Sequence, residues 1–120
     1  LLMKDGAKTG KVAFVEHNIK AATNEHLFII RSREGFFLQK YLFYFFLSDY
    51  GQQQVKNFIH GIIGGVTRED IYDMKIPETS LEIQDKVINK FDSYKSIIVE
   101  TNSKIISSQS LQKSLINQIF

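Results

Sequence analysis

Basic side chains gather in two short stretches of this 120-residue chain. Lys4, Lys8 and Lys11 share one glycine-containing turn, and a second basic group follows the apolar run at residues 26–31. Lysine and arginine bind phosphates and displace condensed counterions, and polar side chains beside them are suited to reading base edges. A solvated basic face is an equally good interpretation of the same residues. The candidate contacts to nucleic acid are Lys4, Lys8, Thr9, Lys11, Arg31, Arg33 and Lys40, with Ser32 and Gln39 as further candidate readers of base edges.

The histidines and the absence of cysteine argue against catalysis and metal binding. His17, His26 and His60 lie on separate elements and lack metal-ligand spacing. Without cysteine there is no thiol nucleophile, which also fits a reducing compartment. No nucleophile elbow is present. We therefore predict a protein that is not an enzyme, with no catalytic residue, metal or cofactor.

Two glycine-containing loops are candidates for close contact with a ligand. Residues 4–11 lack P-loop spacing and precede a strand, so a hairpin turn joining the apolar runs 1–3 and 12–15 is the simpler interpretation. The loop at residues 61–65 follows Asn57 and His60. A helix cap and turn is the first interpretation of that region, and approach of a ligand is the second.

Periodicity predicts the elements that hold these residues. Residues 26–31 are continuously apolar, which predicts a central strand buried on both faces. Residues 36–48 are apolar almost all round and predict a helix sunk into the core. Asp49 is predicted to cap a second helix through a capping box with Gln52, and Gly61 to end it.

The last third of the chain carries two further capping signals. Thr67 to Asp70 is a capping box for a short helical turn, and residues 74–76 predict a brief strand closed by a proline. Thr79 to Glu82 is another capping box, and no glycine or proline follows it. One helix is therefore predicted to run to residue 120.

Heptad spacing along this helix predicts a coiled-coil seam that requires a partner helix. Thr101, Ser108 and Gln112 fall in the same row and should weaken its middle. The predicted fold is α+β: a small mixed sheet with packed helices at residues 1–78, followed by a long coiled-coil helix at residues 79–120. The predicted interface residues are Val87, Phe91, Tyr94, Ile98, Ile105, Leu115 and Ile119.

The order of six motifs along the chain resembles one protein family. They are Asp5-Gly-Ala-Lys-Thr-Gly-Lys11, Asn24-Glu-His-Leu-Phe28, the aromatic helix ending Phe46-Leu-Ser48, Gly64-Gly-Val-Thr67, Ile76-Pro77 and Leu81-Glu-Ile-Gln84. This order is similar to the distal part of a target recognition domain from the DNA-specificity subunit of type I restriction-modification systems. The resemblance covers almost the whole chain. Its most specific element is Ile-Pro followed by Leu-Glu-x-Gln at the start of a long helix.

The resemblance implies a non-catalytic subunit that recognises double-stranded DNA. It implies a methyltransferase (modification) subunit as partner, and a restriction subunit in the full complex. Members of the family carry two recognition domains separated by two helices that pack as an antiparallel coiled coil. This chain has one helix and part of one domain, so we expect a second specificity half or a homodimer through the long helix. The basic residues above then become the predicted DNA contacts.

Two alternatives stay open. One is a coiled-coil module for protein interaction and oligomerisation that does not bind DNA. The other is the recognition domain of a single-chain restriction-methylation enzyme. Charge reversal at Lys8, Lys11 and Arg33 separates the first alternative from DNA recognition.

The longest apolar stretch, residues 41–47, is far shorter than the roughly 20 residues that cross a bilayer, and no signal peptide is evident. We therefore predict a soluble cytoplasmic protein without a membrane partner.

The chain begins Leu1-Leu2-Met3, without an initiator methionine and already in an apolar run. This start predicts a domain entered partway through.

Overall fold

The structure is a computed structural model that describes residues 1–62 and 64–119. Residues 63 and 120, which fall in the predicted glycine loop and at the predicted helix end, lie outside the described residues. The chain divides into two compact units, Leu1–Lys86 and Val87–Phe120. A small sheet, packed helices and a long C-terminal helix confirm the general α+β form. The elements are β1 (Leu2–Met3), β2 (Leu27–Phe28), α1 (Gln39–Leu47), α2 (Asp49–Asn57), α3 (Arg68–Asp73) and α4 (Leu81–Ile119).

The sheet is antiparallel and small. β1 pairs with β2 in the register Leu2 to Phe28, and Leu2 also forms an isolated antiparallel bridge with Val12. The predicted hairpin is confirmed, because Met3 N–H donates to the Lys11 carbonyl at 2.9 Å. The predicted mixed sheet is wrong, and so is the central position of residues 26–31. β1 occupies the centre because the basic turn folds residues 10–13 back along its other edge.

The first two helices pack against each other through a glycine. The side chain of Ser48, rather than Asp49 as predicted, caps α2 by accepting a hydrogen bond from Gly51 N–H at 3.1 Å. A Cβ atom at Gly51 would overlap the Phe45 carbonyl oxygen. Glycine is therefore the residue that lets α2 begin so close to the end of α1. α2 ends at Asn57, before the predicted Gly61.

The core of the first unit is built mainly from helices α1 and α2 with β1. The continuous apolar character of α1 follows from this position, because three of its nine residues are buried, namely Leu42, Phe45 and Phe46. Burial of the apolar surface is the main favourable term that holds so small a sheet in place. The buried cluster consists of Leu2, Phe45, Phe46, Val55, Val66 and Met74.

Glutamine amides join segments that have no sheet partner. Gln54 accepts from Lys75 N–H at 2.8 Å and donates to the Lys75 carbonyl at 3.0 Å. This side-chain pairing replaces the strand predicted at residues 74–76, which the described structure does not contain. Gln52 donates to the carbonyls of Gly10 and Phe46 at 2.9 and 2.6 Å. It therefore holds the basic turn to α1 and is not the predicted capping partner of Asp49.

Gln84 is the fully buried member of this group. Its amide oxygen accepts from Leu38 N–H at 2.8 Å, and its amide nitrogen lies 2.9 Å from both the Phe36 and Thr79 carbonyls. The exposure of Gln84 is 0%. Although it falls in the heptad row, it belongs to the interior of the first unit.

Helix α4 confirms the long helix predicted from the absence of glycine and proline. It has 39 residues, Leu81–Ile119. Its start is capped by the Ser80 hydroxyl, which accepts from Ile83 N–H at 3.3 Å, one residue later than the predicted box from Thr79. Residues 93–119 are all exposed. Within the described residues, no helix has the length and apolar character needed to span a membrane.

Candidate nucleic-acid interface

The basic turn is fixed at both ends by backbone hydrogen bonds. Lys11 N–H donates to the Lys8 carbonyl at 3.1 Å, and Gly10 N–H donates to the Met3 carbonyl at 2.9 Å. Gly10 has φ +89°, and a Cβ atom there would lie 3.1 Å from the Gln52 side-chain oxygen. These contacts define the backbone conformation of the turn from which the lysines project.

The glycine loop of residues 60–65 lies directly against this turn. Val66 N–H donates to the Lys4 carbonyl at 2.8 Å, and the Thr9 hydroxyl lies 2.7 Å from the carbonyls of both Gly6 and Gly64. The hydroxyl donates to one of these at a time. The two loops that the sequence offered as separate ligand candidates thus form one surface. We call residues 4–11 and 60–65, with residue 63 outside the description, the two-loop surface.

Two histidine–aspartate pairs each join a residue of the two-loop surface to a residue outside it. His26 Nδ1 lies 2.7 Å from Asp5 Oδ1, and His60 Nε2 lies 3.3 Å from Asp70 Oδ1. Asp70 also closes the predicted capping box, which is confirmed by its reciprocal bonds with Thr67 at 2.7 and 3.2 Å. Each pair gives a carboxylate of this region a hydrogen-bonding partner.

The pKa of Asp70 is lowered from its ordinary value of 3.8. The backbone N–H of Thr67 is the largest cause, followed by the Thr67 hydroxyl, and His60 adds a smaller effect. Hydrogen bonds donated to a carboxylate favour its charged form. Asp70 therefore stays ionised and keeps α3 capped at neutral pH.

The lysines of the turn differ in their surroundings. Lys8 and Lys11 are exposed. The ammonium of Lys4 lies 5.5 Å from the centre of the Phe28 ring, within the range of a cation–π contact. Lys8 and Lys11 are consequently the two lysines best placed to reach a phosphate group.

The remaining predicted basic residues form a second group, around the start of α1. Arg33 lies 4.8 Å from the centre of the Phe36 ring, and Lys40 lies 5.8 Å from the centre of the Phe14 ring. Arg31 lines an open cleft of about 520 Å³ together with apolar residues that include Phe14 and Phe43. Arg33 and Lys40 therefore lie beside aromatic rings, in contrast to Lys8 and Lys11.

The predicted base readers have internal partners. Gln39 accepts from Ser32 N–H at 2.7 Å and donates to the Ile30 carbonyl at 3.0 Å, so its amide holds the chain that follows β2. The Thr9 hydroxyl is used between the two loops. Both side chains therefore support the backbone, and their reading of bases remains a prediction.

Sequence reasoning missed the acidic and histidine members of this region. Asp5 and His26 are 21 positions apart and meet because β1 pairs with β2. The capping-box pattern at Thr67 predicted the role of Asp70 in capping α3. No sequence pattern predicted the contact of Asp70 with His60. Across residues 1–62 and 64–119, no group of three or more histidine or acidic side chains could hold a metal ion.

The predicted coiled-coil seam of α4 lies within the second unit, Val87–Phe120. Ile98, Ile105 and Leu115 are 59%, 50% and 51% exposed. The positions on the far side of the helix are all small and polar: Asn89, Ser96, Ser103, Ser110 and Asn117. Apolar residues also flank the seam at Ile97 and Leu111. The helix is therefore amphipathic, with one apolar face along most of its length.

Comparison with known proteins gives no relative for this chain: no protein-family model, curated protein or solved structure matches it.

Proposed function

We propose that this chain recognises double-stranded DNA as a specificity subunit, or part of one, of a type I restriction-modification system. The observation that carries the proposal is the two-loop surface, where the exposed Lys8 and Lys11 stand beside a glycine loop. Phosphate contacts from such lysines position a protein on DNA. Gly61 and Gly64 of the neighbouring loop carry no side chain, which permits close approach of the backbone to the duplex at these two positions. The motif order of the sequence supports the family.

In this proposal the chain binds and its partners catalyse. A methyltransferase subunit would modify the DNA that the chain selects, and a restriction subunit would join them in the full complex. Helix α4 would bind a second copy of the chain. Its four acidic residues all lie at or before Glu100, whereas Lys104 and Lys113 are its only charged residues beyond that point. Lys86, Lys90 and Lys95 also lie at or before Glu100, so this half of the helix has a net charge of −1, from four acidic and three basic residues, and the remainder has +2. Antiparallel pairing of two copies sets these opposite net charges against each other and favours that orientation.

A salt-dependent titration tests DNA binding directly. Fluorescence anisotropy with a labelled duplex pool of random sequence should show binding that weakens as salt rises. The double variant Lys8→Glu and Lys11→Glu should lower affinity about tenfold or more and reduce the salt slope by about 2, because two phosphate contacts are lost. Arg33→Glu measures the separate contribution of the group around α1.

The control is Lys20→Glu with Lys75→Glu, which changes net charge equally at exposed sites outside the two-loop surface and outside α4. This control should keep nearly the affinity and slope of the wild type. If wild type shows no salt-sensitive binding, even together with its methyltransferase, the proposal is wrong. The interaction module without DNA binding then becomes the better description.

A further inference from the structure

The tip of the glycine loop carries an apolar side chain that the protein itself does not cover. Ile62 has a relative exposure of 107%, which is more than any other large apolar residue of the described chain. Single exposed apolar residues are common on protein surfaces. This one is unusual in its setting, because it belongs to a loop that contacts a lysine-bearing turn through Gly64.

Three features define the conformation of the described loop residues on either side of Ile62 and residue 63. His60 and Gly65 form an antiparallel bridge with N–H to carbonyl distances of 2.8 and 3.1 Å. Gly61 and Gly64 have φ +74° and +69°, in the left-handed region that glycine adopts without strain. The Thr9 hydroxyl reaches the Gly64 carbonyl from the basic turn. The described residues that flank Ile62 are thus held by contacts within the loop and with the basic turn.

The charges of the two-loop surface favour an anionic partner over an apolar protein surface, because its three lysines, Lys4, Lys8 and Lys11, outnumber its one carboxylate, Asp5. Thr9, which contacts the loop, lies between Lys8 and Lys11, whose side chains are exposed. The carboxylates of Asp5 and Asp70 are hydrogen-bonded to His26 and His60. A phosphate backbone held by these lysines would bring the base pairs of the same duplex within reach of the loop tip.

We propose that Ile62 is an apolar wedge that inserts between stacked base pairs from the minor groove when the two-loop surface binds DNA. Architectural DNA-binding proteins use isoleucine, leucine or phenylalanine in this way, and partial unstacking kinks the duplex. The lysines supply affinity from the backbone, and the wedge makes affinity depend on how easily a base step opens. This inference rests on the DNA-binding function proposed above.

A duplex with one weakened step tests the wedge without knowledge of the recognised sequence. Affinities of the full chain are compared for two random-sequence duplex pools, one fully paired and one with a single central mismatch. Because unstacking costs less at the mismatch, wild type should prefer the mismatched pool by about tenfold. Ile62→Ala should lose most of this preference and keep the salt slope. Ile62→Leu, which preserves an apolar tip, should retain the preference.

Ile19→Ala is the matched control, since Ile19 is an exposed isoleucine away from the two-loop surface, and it should behave as wild type. Circular dichroism confirms that each variant is folded. The wedge is rejected if wild type binds both pools equally, or if Ile62→Ala keeps the preference. Unchanged DNA binding with weakened capture of the methyltransferase subunit also rejects it, and assigns Ile62 to a protein contact. Absence of any salt-dependent binding by wild type removes the proposed function as well.

Discussion

Glutamine side chains act in the first unit as substitutes for strand partners. Gln39, Gln54 and Gln84 each accept a hydrogen bond from a backbone N–H and donate to a backbone carbonyl. A primary amide carries both a donor and an acceptor, as a peptide group does, so one side chain satisfies two main-chain groups. The two-stranded sheet would leave these groups without partners. The same chemistry explains why Gln39 is poorly placed for reading DNA.

Replacing Gln84 by alanine should destabilise the protein by roughly 2–4 kcal/mol, because the partly buried backbone groups of Leu38, Phe36 and Thr79 lose the buried amide as their partner. Urea unfolding followed by circular dichroism measures the change. Gln112→Ala is the control, since Gln112 occupies an equivalent heptad position but is exposed. It should alter stability by no more than about 0.5 kcal/mol. If both substitutions lower the free energy of unfolding equally, the hydrogen bonds of the buried Gln84 amide do not contribute to stability.

Asp70 gives the protein a defined sensitivity to acid. Its pKa is lowered in the folded state, chiefly by Thr67, so its contribution to stability is complete above the ordinary value of 3.8. The contribution is lost as pH falls below that value and through the lower folded pKa. Asp70→Asn should therefore be less stable than wild type at pH 6, and the gap should narrow toward pH 3.

The midpoints of urea unfolding between pH 6 and pH 3 measure the difference in stability between wild type and Asp70→Asn. Asp73→Asn is the control for removal of a negative charge from the same helix. A gap between wild type and Asp70→Asn that stays constant with pH would contradict the assignment.

Patterns in neighbouring residues predicted those secondary-structure elements that are stabilised by interactions between neighbouring residues. The hairpin of residues 1–13, the Thr67 capping box and the long helix all depend on residues close in sequence. The two-loop surface depends on the contact of Thr9 with Gly64, 55 positions away. No periodicity marks such a contact, and an amide such as Gln54 can bond to any backbone within reach. Each loop could therefore be predicted from the sequence, but the contact between the two loops could not.

Helix α4 offers adjacent residues that test its seam. Ile98 and Val99 are 59% and 61% exposed, but only Ile98 falls in the heptad row. If a partner helix covers that row, Ile98→Asp should bury a charge and shift the protein from dimer to monomer. Val99→Asp should leave the dimer intact. Sedimentation equilibrium gives both masses, and loss of the dimer in both variants, or in neither, would exclude the predicted seam.

For the whole molecule, the length of α4 becomes a measure of distance if two copies bind DNA together. A helix rises about 1.5 Å per residue, so one inserted heptad adds about 10 Å, close to three base pairs of duplex. Seven residues also preserve the alignment of the apolar row with its partner, whereas four would rotate it.

Insertion of one heptad after Ser103 should therefore lengthen the spacer between two DNA half-sites by about three base pairs. Selection of bound sequences from a random duplex pool, for wild type and variant, gives the two spacers. A variant in which residues 97–103 are replaced by another heptad of the same pattern controls for changed sequence at constant length, and its spacer should equal that of wild type. Lengthening α4 without lengthening the spacer would show that the helix joins two copies but does not set their separation on DNA.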